Sequence, residues 1–241
     1  MRYFLGVDVG NTKSHALVAD ETGRAIGFGA AGMGSWEGLG WDGAQAVLQE
    51  IVGQAFCQAG IGPDDIHGAG FGYAGYDWPE DRPGHECMIE SLGLANAVWE
   101  VGNDVVVGLF AGADDGWGVV VSAGTSNNCY ARDRHGRTCQ MTGAGAPFAE
   151  YGGASEVVRK ALQAVSLAWS MRGPATALGE AIVAEVGARD VDDLLAGLVR
   201  GRYELKPAHA PLVFEIAAEG DPVAAGIVCW AGHELGSLAV G

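Results

Sequence analysis

The chain has 241 residues, 49% hydrophobic and 18% charged, with 40 glycines; that suffices for one large domain or for two of roughly 100–130 residues. Its net charge of −16 is uneven, with four Lys or Arg against 17 Asp or Glu in residues 1–130 and ten against 13 in residues 131–241, which argues against a nucleic-acid partner. Apolar runs such as Val105-Val106-Val107 and Val119-Val120-Val121 are too short to span a bilayer, and Met1-Arg2-Tyr3 lacks the layout of a signal peptide, so neither membrane nor secretion is expected.

Cys57, Cys87, Cys129, Cys139 and Cys229 are scattered and odd in number, and none forms CxxC. A disulfide framework or a zinc site is not expected, and a reducing cytoplasm is the natural location.

Residues 2–9, 14–20 and 24–30 read as three strands with tight turns at Gly10-Asn11-Thr12 and Glu21-Thr22-Gly23. Ala44, Val47, Leu48, Ile51, Val52 and Ala55 recur at helical spacing and predict a helix over 41–60, stopped by Gly60-Ile61-Gly62-Pro63. A glycine-rich strand and turn follow at 67–75, a short helix at 84–92, a strand at 96–102 and a helix at 105–113. This order predicts a mixed α/β sheet whose first three strands are antiparallel. A domain boundary is expected near residue 114, dividing 1–113 from 114–241.

Beyond it, 117–122, 127–132 and 137–142 read as strands. Helical patterns then cover 154–170, 175–187, 191–200, 208–218 and 222–240. The last ends at Gly241 in an apolar pattern, so the chain is expected to be an incomplete copy of a longer protein, with its second domain truncated.

Three constellations carry chemistry. In Gly6-Val7-Asp8-Val9-Gly10-Asn11-Thr12-Lys13, a strand delivers an Asp, and a turn then gathers backbone N–H groups, a hydroxyl and an ammonium. That suits phosphate oxygens, with the Asp holding Mg²⁺ through water, although an ordinary hairpin accounts for the pattern equally well. The P-loop spacing is absent. Ala123-Gly124-Thr125-Ser126-Asn127-Asn128 is a second small, hydroxyl-rich turn at the opening of the second domain; it is either a plain β-turn or a second phosphate grip. Asn103-Asp104 follows a strand and opens a helix. Its carboxylate is either a helix N-cap or a general base for a substrate hydroxyl.

Asp8-x-Gly10-Asn11-Thr12-Lys13, Gly72-x-Ala74-Gly75, Asn103-Asp104 and Gly124-Thr125-x-x-Asn128-Cys129, in that order, resemble the actin-like (sugar kinase/Hsp70/actin) superfamily. Within it, residues 3 to about 165 look most like the N-acetylglucosamine kinase and BadF/BadG/BcrA/BcrD ATPase family. The resemblance implies two ribonuclease H-like domains and an ATP-dependent amino-sugar kinase using Mg²⁺. It implies Asp8 for the metal, Gly10, Asn11, Thr12, Lys13, Gly124 and Thr125 for ATP phosphates, and Asp104 as the base. Sugar contacts would fall on Ser35, Trp36, Glu37, Asn127, Asn128, Gly143, Ala144, Gly145 and Glu150. A small-molecule sugar is the implied partner, and members are often homodimers.

The departures lie on the sugar side. Ser35-Trp36 stands where the family has Asn and an aromatic or His, and Ala149-Glu150-Tyr151-Gly152-Gly153 replaces Gly-Asp-Glu-Gly-Ser. Trp36 is a candidate to stack on a sugar face. The family's late Gly-Gly adenosine loop has no counterpart. The cysteines of the iron–sulfur dehydratase activators and of the zinc-containing ROK kinases are also missing. The alternatives are an ATPase coupled to a partner protein without an iron–sulfur cluster, a non-catalytic sugar sensor and, more distantly, a type III pantothenate kinase.

Overall fold

The computed structural model describes all 241 residues, which fall into two compact units, Met1–Gly118 and Val119–Gly241. In the first, β1 (Tyr3–Val9), β2 (Ser14–Asp20) and β3 (Ala25–Ala31) are followed by α1 (Trp36–Ala59), β4 (Ile66–Tyr73), α2 (Arg82–Glu90), β5 (Val98–Asn103) and α3 (Asp104–Gly112). The sheet order is β3-β2-β1-β4-β5. β1, β2 and β3 pair antiparallel, and β4 and β5 run parallel to β1, which is the mixed sheet the sequence predicts.

Strand alternation sets the two faces. Leu5, Val7 and Val9 of β1 and Ala16 and Val18 of β2 point inward and pack on Ala44, Leu48, Ile51, Val52 and Ala55 of α1. Phe4, Leu17 and Phe28 lie exposed on the opposite face.

Glycine decides how closely α1 lies on this sheet. A Cβ built on Gly27 or Gly29 of β3 would fall on the carbonyl oxygens of Ala55 and Ile51, so no side chain fits at either position. The helix also begins earlier than its apolar spacing predicts. Ser35 caps it, its hydroxyl accepting from Glu37 N–H at 3.3 Å, and the first turn passes a kink at Gly40, where φ is +69°.

The second unit opens with β6 (Gly118–Ala123), β7 (Asn127–Arg132) and the three-residue β8 (Thr138–Gln140), in the order β6-β7-β8. Five helices follow: α4 (Ala154–Trp169), α5 (Leu178–Val186), α6 (Val191–Val199), α7 (Ala210–Ala218) and α8 (Pro222–Val240). Val157, Ala161 and Val165 form the inward stripe of α4 and meet Leu178, Ile182, Leu194, Val213, Ile216 and Ile227 in a single core. Contrary to the reading of short apolar runs, α8 has the length and composition to cross a bilayer. It packs on α4 and α7, with Ala224, Ile227, Ala231 and Leu238 buried.

The Gly29 contact is directly testable. Gly29→Ala forces α1 off the sheet or distorts β3, an overpacking cost of about 1–3 kcal/mol. Urea unfolding of the first unit should show this loss. A midpoint equal to wild type would mean that α1 is not seated on β3 in this way.

Candidate active site

The carboxyl ends of parallel strands are where open α/β sheets place their ligands. β1 brings Asp8 to that edge, one residue before the strand ends. β5 ends there at Asn103, and α3 starts with Asp104.

Gly72 of β4 stands between the two acids. It pairs with Asp8 on one side and Gly102 on the other. A Cβ on Gly72 would run into Val107 and lie 3.1 Å from the Asp104 Cα. The bare glycine therefore lets the first turn of α3 settle over the sheet beside Asp8.

The two carboxyl groups feel one another. Burial, then the nearby Asp8 carboxylate, push Asp104 up to about 6, against an opposing pull from the backbone N–H groups of Asp104 and Val105. Asp8 is itself raised by burial, with His15 and Lys13 pulling it back. Asp104 does not cap its helix. Asn103 does, its side-chain oxygen accepting from Val105 N–H at 3.0 Å. Two half-buried carboxylates that repel each other form a donor set suited to a hard divalent cation, and a cation held there would remove the repulsion.

Beyond Asp8 the hairpin turns tightly. Gly10 N–H donates to the Lys13 carbonyl at 3.0 Å, and a Cβ on Gly10 would approach that oxygen to 2.8 Å. Asn11, Thr12 and Lys13 are exposed at the tip.

Ser35, Trp36 and Glu37 border the turn after β4, where Gly75 has φ +82° and no room for a side chain beside all three. Trp36 donates from Nε1 to the Gly75 carbonyl at 2.7 Å. Its ring stacks on Trp41 with centroids 4.6 Å apart, so one face of the indole is already covered. Ser35 is buried as the cap of α1.

In the second unit the Gly124-Thr125-Ser126 turn is exposed between β6 and β7 and held to the start of α4. Ala154 N–H donates to Gly124 O at 2.9 Å. Ser155 donates to Thr125 O from both its N–H, at 3.0 Å, and its hydroxyl, at 2.8 Å. Gly153 is required here, since a Cβ would sit 2.7 Å from the Ser126 carbonyl carbon.

Asn127 is buried with neither end of its amide partnered. The Asn128 side-chain oxygen accepts from Cys129 N–H at 2.8 Å, and its amide nitrogen lies 3.1 Å from where a Cβ on Gly143 would stand. Glu150 turns into its own loop, accepting from Thr142 N–H at 2.8 Å, the Thr142 hydroxyl at 3.0 Å and Gly145 N–H at 3.4 Å. Ala144 N–H donates to the Thr142 hydroxyl at 3.1 Å. Thus Asn127, Asn128, Gly143, Ala144, Gly145 and Glu150 gather around one loop. Gly153 and Ser155, which hold the Gly124 turn, have no signal in the sequence beyond glycine and serine before an amphipathic helix.

A sheet of order 3-2-1-4-5, with one acid ending β1 and a second following β5, defines a protein of the actin-like ATPase fold. The chain belongs to the BadF/BadG/BcrA/BcrD ATPase family, whose sequence profile matches residues 5–235. An N-acetylmuramic acid/N-acetylglucosamine kinase of Clostridium acetobutylicum is 26% identical over 237 residues, 98% of this chain and 77% of the relative. Glucosamine kinase GspK of Vibrio cholerae is 25% identical over 225 residues, 93% of this chain and 74% of the relative. A solved structure named as an N-acetylglucosamine kinase from Chromobacterium violaceum superposes with a TM-score of 0.79 at 23% identity, covering 99% of this chain and 82% of the other. A ROK family glucokinase from Streptomyces griseus gives 0.59 at 22% identity, covering 99% and 79%. These two share the fold.

The raised Asp104 acid has a consequence for stability. Because its folded value of about 6 lies above the ordinary 3.8, the folded state is penalised once the group ionises. The penalty is absent below about 3.8 and complete above about 6. Asp104→Asn should stabilise the metal-free protein by up to about 3 kcal/mol at pH 8 and by almost nothing at pH 4. Urea titrations at both pH values decide this, and a gain independent of pH would place Asp104 in water.

Proposed function

We propose that the protein transfers the γ-phosphoryl group of ATP to a hydroxyl of an amino sugar of the N-acetylglucosamine type. The observation that carries this reading is the Asp8–Asp104 pair, with Asp104 held near 6 at the start of a helix that Asn103 caps, in a chain whose relatives bear the names of amino-sugar kinases. A base poised just below neutral pH is ionised at work and still able to take a proton.

In this reading Asp104 accepts the proton as the sugar O–H bond breaks. The new O–P bond forms, and the bond from the γ-phosphorus to the bridging oxygen breaks to release ADP. Asp8 would hold Mg²⁺, whose charge would offset that of the phosphates. The N–H groups of the Gly10–Lys13 turn, the Thr12 hydroxyl and the Lys13 ammonium take phosphate oxygens. In the second unit the exposed Gly124-Thr125 turn, braced by Gly153 and Ser155, serves the same chemistry. Asn127, whose buried amide has no partner, and the Asn128–Gly145 loop serve the sugar. The five free cysteines suit a reducing cytoplasm.

Turnover of ATP measured across hexoses, hexosamines and N-acetylhexosamines tests the reading. Stimulation by an amino sugar is expected. A basal rate indifferent to every sugar points to a partner-coupled ATPase, and sugar binding without turnover points to a sensor.

With the preferred sugar, Asp104→Asn should lower kcat by roughly 10²–10⁴ while leaving ATP affinity nearly unchanged. Activity within a few-fold of wild type would remove Asp104 from the chemistry. Asp8→Ala should raise the Mg²⁺ concentration needed for half-maximal rate, and an unchanged magnesium titration would remove Asp8 from the metal site.

A further inference from the structure

Asn103, the residue before Asp104, ends a line of hydrogen bonds that leads back through the loop after β4. Asn103, buried at the end of β5, uses both ends of its amide. Its oxygen caps α3 through Val105 N–H, and its nitrogen donates to the Asp77 carboxylate at 2.8 Å and to the Tyr76 carbonyl at 3.3 Å. Asp77 is held in turn. Its own N–H and that of Trp78 donate to the Asp81 carboxylate at 3.1 and 2.8 Å. The Asp81 carbonyl accepts from His85 Nδ1 at 2.8 Å, and His85 is wholly buried against Trp41, Tyr73 and Tyr76.

An Asn at a helix start can present either its oxygen or its nitrogen to the helix N–H groups. Only the oxygen caps. A carboxylate has no donor, so Asp77 can bond the amide only through its nitrogen, which fixes the oxygen on Val105. This orientation sets the first turn of α3 and with it the Asp104 backbone.

We propose that Asp77 is a positioning residue for the catalytic base: through the Asn103 amide it fixes the helix turn that aims Asp104. The proposal rests on the reading of Asp104 as the base of a sugar kinase. A displacement of about 1 Å at a reacting group can cost about 10²-fold in rate without weakening binding. The effect of losing Asp77 therefore falls on kcat.

The test compares Asp77→Ala with Asp77→Asn, whose side-chain oxygen still accepts from the Asn103 amide while the Tyr76 carbonyl, which can only accept, keeps the Asn103 nitrogen on that side. In Asp77→Ala, kcat falls at least about tenfold while the KM values for ATP and sugar stay within about twofold. In Asp77→Asn, kcat stays within about threefold of wild type. Amide hydrogen exchange at Val105 reads the same geometry without any turnover, and it quickens in Asp77→Ala but not in Asp77→Asn. A folded Asp77→Ala protein with wild-type kcat, a loss confined to KM, or unchanged exchange at Val105 overturns the proposal.

If Asp77→Ala does not fold, a reciprocal pair carries the test. Asn103→Asp caps a helix as well as Asn but cannot donate to Asp77. It should lose kcat, and adding Asp77→Asn, which swaps donor and acceptor, should restore most of it. A double variant no better than Asn103→Asp alone overturns the proposal. If the wild-type protein shows no sugar-stimulated turnover, the kinase reading fails by itself, and exchange at Val105 still decides whether Asp77 holds the cap.

Discussion

Two carboxylates taken out of water side by side, with the charge of Asp8 adding to the burial cost of Asp104, are the constraint on which the first unit turns. Asp8 ends a strand, Asp104 begins a helix, and both are half-buried at the edge where β1, β4 and β5 terminate. Folding would separate such groups if nothing else fixed them. What fixes them is backbone. Gly72 gives α3 no side chain to climb over, Asn103 closes the helix end, and the strand register places Gly72 directly beside Asp8.

The second unit solves a different problem with similar means. Its exposed Gly124-Thr125-Ser126 turn would be loose on its own. The start of α4 holds it with three hydrogen bonds from Ala154 and Ser155, at an approach close enough to demand glycine at position 153. The bracing glycine at 153 lies far in sequence from the turn it serves.

Much of this was legible in the sequence, and the reasons can be named. Strands β1 and β2 read well because one face is buried, so Leu5, Val7 and Val9 alternate with Phe4, Gly6 and Asp8. The α4 stripe read well for the same reason at helical spacing. The start of α1 did not, because Gly38, Gly40 and Gly43 are poor helix formers and the apolar spacing begins only at Ala44. Of Asn103 and Asp104, both able to cap a helix, only the backbone shows that Asn103 is the extended residue that does so. Trp36 carried no sign that Trp41, a turn later, would cover its ring. Asp77 and Asp81 lie in a loop with no periodicity, so their bonds to Asn103 and to the chain around it emerge only in three dimensions.

On the kinase reading proposed above, the raised acid at position 104 would make activity and stability respond to acidity in opposite directions. As the surroundings acidify through pH 6, Asp104 takes up a proton, can no longer accept one, and its repulsion of Asp8 disappears. The pair then no longer opposes folding. Acidity through this range would thus leave the base proposed at position 104 protonated in a fold that its charge no longer penalises, and a return to neutrality would restore the charge together with its cost.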